Sequence, residues 1–111
     1  MPLEESPYEK GRRHEKMIEE RTGDKRVPGS GNQSMKPGDI RGDKFLREAK
    51  MTSKKGMSIK GEWLIKICRQ ALTNGLEPII ELRFEGHKPP TSKDWVMIQA
   101  RYFDELTEED I

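Results

Sequence analysis

The stretch GDIRGDKFLREAK, residues 38–50, decides the fold. Gly42-Asp43 lies between two extended runs, which predicts a two-residue β-hairpin with strands over 39–41 and 44–52. In that register Arg41 faces Lys44, Ile40 faces Phe45 and Asp39 faces Leu46. Directly opposed residues point to the same side, so Asp39, Leu46, Glu48 and Lys50 share one face. Ile40 and Phe45 point the other way, toward a core. Glu48 and Lys50 then lie about 6.6 Å apart along the strand. Asp39 and Glu48 become diagonal neighbours, roughly 7–8 Å apart at the backbone and closer at their tips. A hard divalent ion with ligand distances near ~2.1 Å bridges two such carboxylates. The reading depends on the two-residue turn, because a one-residue slip turns every side chain to the opposite face. In a chain that is 37% charged, the same three residues also suit an ordinary solvated surface.

Outward from the hairpin, residues 8–22 carry a helical pattern that Gly23 ends. Its stripe of Gly11, Glu15, Ile18 and Thr22 sets Glu15 one turn from Ile18, at the edge of the docking face. Residues 24–38, rich in Gly and Pro, read as a long loop. After the hairpin comes the clearest helix, in which Leu64, Ile67, Cys68, Ala71 and Leu72 share a face and Asn74-Gly75 is the stop. PIIELRF (78–84) alternates as a strand, with Ile80, Leu82 and Phe84 on one side and Ile79, Glu81 and Arg83 on the other. DWVMIQA (94–100) reads as the last strand. The order of helix, hairpin, helix, strand, strand is that of an α/β fold, a small mixed sheet flanked by helices. Residues 1–7 read as a flexible tail, 8–103 as a single domain and 104–111 as an acidic tail. Trp63 and Trp95 are expected to pack, and His14 to lie at the surface or an edge.

Composition narrows the functional classes. With 111 residues and 32% apolar content, the chain supports one domain with a small core. The net charge of +1 conceals an asymmetry: residues 21–60 hold eleven Lys/Arg and four acids. A locally basic middle suits a polyanionic partner, or simply a well-solvated surface. The single cysteine, Cys68, excludes an internal disulfide and a cysteine-based zinc site. No apolar run approaches the length of a membrane span, and the acidic start lacks the apolar core of a secretory signal. No membrane association is expected. The default location is the cytoplasm of an archaeon, a bacterium or a phage-infected host.

Four short motifs stand in order between Gly11 and Lys50: GRRHE (11–15), RVPGSG (26–31), PGD (37–39) and REAK (47–50). Together with the amphipathic helix that follows, they resemble the PD-(D/E)xK nuclease superfamily, and within it the archaeal-type Holliday-junction resolvases and their phage relatives. The likeness extends to about residue 100. It departs in having Gly38 rather than proline directly before Asp39, and in the shortness of the chain.

The resemblance implies a restriction-endonuclease-like fold and a metal-dependent endonuclease of four-way DNA junctions. Asp39 and Glu48 would hold Mg2+, or Mn2+, with the Ala49 carbonyl as a further ligand. Lys50 would polarise the attacking water or stabilise the pentavalent phosphate. Glu15 would reach the site from the first helix, as a metal ligand or through a bound water, and Ser30 would contact the scissile phosphate or a second metal position. Arg12, Arg13, Lys25, Arg26, Lys36, Arg41, Lys54 and Lys55 would contact DNA phosphates, and two opposed cuts imply a homodimer. Two alternatives stay open: the same chemistry on nicked, mismatched or forked DNA, and a non-catalytic nucleic-acid-binding module.

Overall fold

The structure is a computed structural model that describes residues 5–27, 39–86 and 89–109. Its elements are α1 (Pro7–Thr22), β1 (Lys25–Arg26), β2 (Ile40–Arg41), β3 (Phe45–Thr52), α2 (Gly61–Thr73), β4 (Glu77–Phe84), β5 (Asp94–Ile98) and α3 (Ala100–Glu109). The strands form one sheet in the order β1-β2-β3-β4-β5. Every neighbouring pair is antiparallel except β3 and β4, which run parallel over eight residue pairs. Parallel neighbours need a crossover, and α2 supplies it. The fold is therefore α/β, with a five-stranded mixed sheet and three helices.

Local chemistry sets the helix ends. Ser6 caps α1 by accepting from the Glu9 N–H, while the Glu9 carboxylate accepts from the Ser6 N–H. This capping box, with Pro7 in the first turn, places the helix start inside the segment read as a tail. Gly23, at φ 82°, closes α1 in the left-handed conformation that glycine adopts without a Cβ penalty.

The hairpin turn differs from the sequence reading. The Gly42 N–H donates to the Phe45 carbonyl at 3.1 Å, so Asp43 and Lys44 are the turn residues. Ile40 pairs with Arg47 and Arg41 with Leu46. The slip relative to expectation is two residues, an even number, and so every side chain keeps its face. The reason lies at Gly42. A Cβ there would meet Asp24 Oδ1 at 2.0 Å, and Asp24 is held in place by Arg47 Nε at 2.9 Å. The glycine serves a close approach rather than the turn.

The two sheet faces are built differently. On one, Leu46 and Ile80 pack against Ile67 and Ala71 of α2, with Val27 closing the cluster. On the other, α1 docks through His14 and Ile18, and α3 lays Tyr102 edge-on against Phe45 at 5.8 Å between ring centroids. That second face also carries buried charge. Glu81 is 1% exposed and accepts from Arg21 of α1 and from Arg47 of β3, each at 2.6 Å. Arg83, also buried, binds both oxygens of Asp94 at 2.7 and 2.8 Å. Arg13 reaches from α1 to Glu85. Among the described residues no buried side-chain nitrogen or oxygen lacks a partner, which is the condition for tolerating charge in a core.

Several expectations are corrected here. His14 is 2% exposed, not a surface residue. It stands four positions before Ile18 at the centre of the docking face, which rotates Glu15 to the rim. Burial pushes the His14 pKa below the usual histidine range, so the ring packs neutral. Glu81 and Arg83, on the strand face opposite Ile80 and Leu82, are buried as well. Residues 104–109, read as tail, continue α3, which Tyr102 anchors to the sheet. Leu72 at 82% exposure and Leu64 at 39% lie outside the core, since α2 buries only its Ile67–Ala71 line. Trp95 is exposed too, on the edge strand β5.

Glu81→Ala would leave two arginines facing a vacated site, one of them buried. It is expected to lower the unfolding free energy by about 3–5 kcal/mol in urea titration. Glu105→Ala, which breaks the exposed pair with Arg101, is expected to be nearly silent.

Candidate functional site

β3 presents Leu46, Glu48 and Lys50 to the α2 side, as its parallel register with Pro78, Ile80 and Leu82 requires. Lys50 Nζ lies 3.4 Å from Glu48 Oε1, and both side chains are largely covered, at 28% and 16% exposure. The ammonium also stands over the Trp63 ring of α2, 4.2 Å from its centroid. Ala49, between the two, faces Glu81 in the β3–β4 ladder.

Asp39 immediately precedes β2 and is 5% exposed. Its carbonyl accepts from the Val27 N–H at 2.8 Å, which joins it to the residue after β1. Continuing the observed register by one residue sets Asp39 directly opposite Glu48, closer than the diagonal relation read from sequence. The two carboxylates and Lys50 thus belong to one face, drawn from two adjacent strands.

Glu15 comes from the other side. α1 covers the face that holds Arg47 and Glu81, opposite the one that carries Glu48. It is half-buried, and this burial, first, raises its pKa above the usual carboxylate range. Arg12 and Arg26 oppose the rise, while Glu19 and Asp39 add to it. Glu15 therefore lies within electrostatic reach of Asp39. Glu19, one turn along, is tied to Arg26 through both the side chain at 3.1 Å and the backbone N–H at 2.8 Å. Glu20 is exposed.

Two carboxylates that converge on one face suit a hard cation which keeps several waters. Among the described residues, no group of three or more His, Cys, Asp or Glu side chains is gathered closely enough to hold a metal ion. Asp39, Glu48 and Glu15 are therefore not gathered into one ligand set.

The basic residues fall into two groups. Lys25, Arg41, Lys54 and Lys55 are exposed, as is Arg12, which lies over the Tyr8 ring at 6.0 Å. Arg13 and Arg26 are engaged with carboxylates, Arg13 with Glu5 and Glu85 and Arg26 with Glu19. Ser30 and Lys36 lie outside the described residues. Trp63 is the site neighbour that sequence reading did not assign. Its signal was present, because Trp63, Ile67 and Ala71 recur at intervals of four on the helix.

The raised pKa of Glu15 has a sign for stability. A carboxyl held above its unfolded value costs nothing while protonated, and it destabilises the fold once pH rises through the folded pKa. Glu15→Gln is therefore expected to raise the urea midpoint at pH 7 and to change it little at pH 4, with any activity that needs the carboxylate lost. An unchanged midpoint at pH 7 would reject the cost assigned to this side chain.

Among the described residues no helix is long and apolar enough to cross a membrane. No protein-family model matches the chain, and no curated protein matches it.

Proposed function

We propose that the chain is a magnesium-dependent endodeoxyribonuclease of restriction-endonuclease-like architecture, acting on branched DNA and foremost on four-way junctions. The observation that carries this reading is the convergence of Asp39, Glu48 and Lys50 on one sheet face, with the ammonium 3.4 Å from the Glu48 carboxylate. Two oxygen donors beside a fixed cation are the protein's share of metal-assisted phosphodiester hydrolysis. The order of the motifs along the chain and their likeness to the PD-(D/E)xK nucleases favour the same chemistry.

Asp39 and Glu48 are the residues that would hold the ion, with the Ala49 carbonyl available between Glu48 and Lys50. Mg2+ or Mn2+ held there would supply Lewis-acid chemistry for phosphodiester hydrolysis. Lys50 places positive charge where the phosphate gains negative charge, and its N–H groups orient the attacking water. Glu15, from the α1 side, acts through solvent on Asp39. Burial raises its pKa above the usual carboxylate value, which makes it a stronger base than an exposed glutamate. Exposed Lys25, Arg41, Lys54 and Lys55 provide sequence-independent attraction to the backbone, so shape selects the substrate. One such group per chain makes a symmetric pair of chains the economical way to cut two opposed strands.

A non-catalytic nucleic-acid-binding module is the second reading, favoured by the satisfied Glu48–Lys50 ion pair. Purified protein incubated with a labelled four-way junction, beside duplex, flap and fork DNA, separates the two. Cleavage of the junction in magnesium, abolished by excess EDTA, is the expected result. Activity that survives EDTA would sink the metal mechanism, and cleavage of forks alone would move the substrate.

Glu48→Gln is expected to lose cleavage while gel-shift affinity for the junction stays equal or tightens, since a negative charge beside phosphate is removed. Lys50→Ala is expected to slow cleavage by about 10²-fold or more. Near-normal rates in either variant would remove that residue from the site.

A further inference from the structure

The geometry points to Trp63 as the positioning residue of Lys50, an inference that rests on the nuclease reading. A lysine tip on four methylenes samples many rotamers, and a group that must act at one point needs a seat. Two contacts hold this ammonium. The Glu48 oxygen at 3.4 Å is longer than the usual 2.7–2.9 Å of a charge-assisted hydrogen bond. The indole face, 4.2 Å from Nζ to ring centroid, lies well inside cation–π range.

The ring projects from a helix that the core fixes. Trp63, Ile67 and Ala71 lie on one line of α2, and Ile67 and Ala71 are the two residues that dock the helix on the sheet. The Trp63 N–H donates to the Lys60 carbonyl at 3.0 Å, so the ring sits in the first turn of the same helix. Its seat is thus part of a rigid element, as a positioning group requires. The two contacts also differ in what a bound ion does to them. A divalent cation on Glu48 would neutralise the carboxylate and repel the ammonium. The uncharged indole keeps its attraction, and so Trp63 retains Lys50 at the site when the ion pair is lost.

The test uses the whole chain with Trp63→Phe, which keeps a ring, and Trp63→Leu, which does not. Protons over an aromatic face are shifted upfield by the ring current, so the Lys50 Hε signals report the seat by NMR, assigned by their loss in Lys50→Arg. They are expected upfield of ordinary lysine in the native chain and in Trp63→Phe, at ordinary positions in Trp63→Leu, and still upfield in saturating Mg2+. On junction DNA, Trp63→Leu is expected to lower kcat about tenfold with KM within about twofold, and Trp63→Phe to stay within about threefold of native.

Lys50 signals at ordinary positions in the native chain would overturn the proposal, as would a shift that collapses on adding Mg2+. A loss in Trp63→Leu confined to KM would also overturn it, because it would make the ring a DNA contact. Should Trp63→Leu fail to fold, the native magnesium titration and Trp63→Phe decide alone. If the native chain cleaves no DNA, the nuclease reading fails, while the NMR arms still decide whether Trp63 seats Lys50.

Discussion

The buried carboxylate of Glu81 is the constraint on which the rest of the molecule depends. It lies in β4, an interior strand of the sheet, and accepts one hydrogen bond from Arg21 of α1 and another from Arg47 of β3. Arg47 in turn holds Asp24, and Asp24 lies against Gly42 at the hairpin turn. One carboxylate thereby relates a helix, two strands, a connection and a turn. A charge in so dry a place tolerates few arrangements, because each unpaired member costs several kcal/mol, about 3–5 for a broken buried pair. The apolar cluster under α2 supplies attraction without direction, while the charged line supplies direction.

This division explains where the candidate site forms. The α2 face is oily around Leu46, Ile80, Ile67 and Ala71, and Glu48 and Lys50 follow Leu46 along β3 on the same side. They are held at the border of the core, where partial cover strengthens their interaction with each other. The charged face governs α1 and so the place of Glu15. Asp39 joins the two sides, lying opposite Glu48 by register and within electrostatic reach of Glu15.

Much of this was legible in the sequence, and the omissions have physical causes. The alternation of residues 44–52, the line of α2 and the glycine stop at Gly23 gave β3, α2 and the end of α1, while β1 lies in the segment read as loop. The shared face of Asp39, Glu48 and Lys50 was also legible, because an even slip in register preserves it. The slip itself was not, because Gly42 is reserved for Asp24, a contact across 18 positions of the chain. Nor were the buried Glu81, Arg83 and His14: a periodic pattern shows that a polar residue lies on a face but not what lies above it. α3 was missed for a similar reason. Its acidic residues read as solvated tail, and contacts distant in sequence tie the segment to the sheet: Tyr102 against Phe45 and Lys44, and Arg101 with Glu77. The substrate and the ion lie beyond either kind of reading and rest on the chemistry proposed for the site.

The far end of β3 is clamped more tightly than the site requires at first sight. Glu85 N–H donates to the Thr52 carbonyl at 2.9 Å, and a Cβ on Gly86 would lie 1.8 Å from the Ser53 carbonyl oxygen. Backbone meets backbone there, with no flexible side chain to yield. Any other residue at position 86 would pry apart the ends of β3 and β4, two positions beyond Lys50. Gly86 is thus tied to the lysine at a distance: a side chain there would displace the strand end that carries Lys50 without ever meeting it.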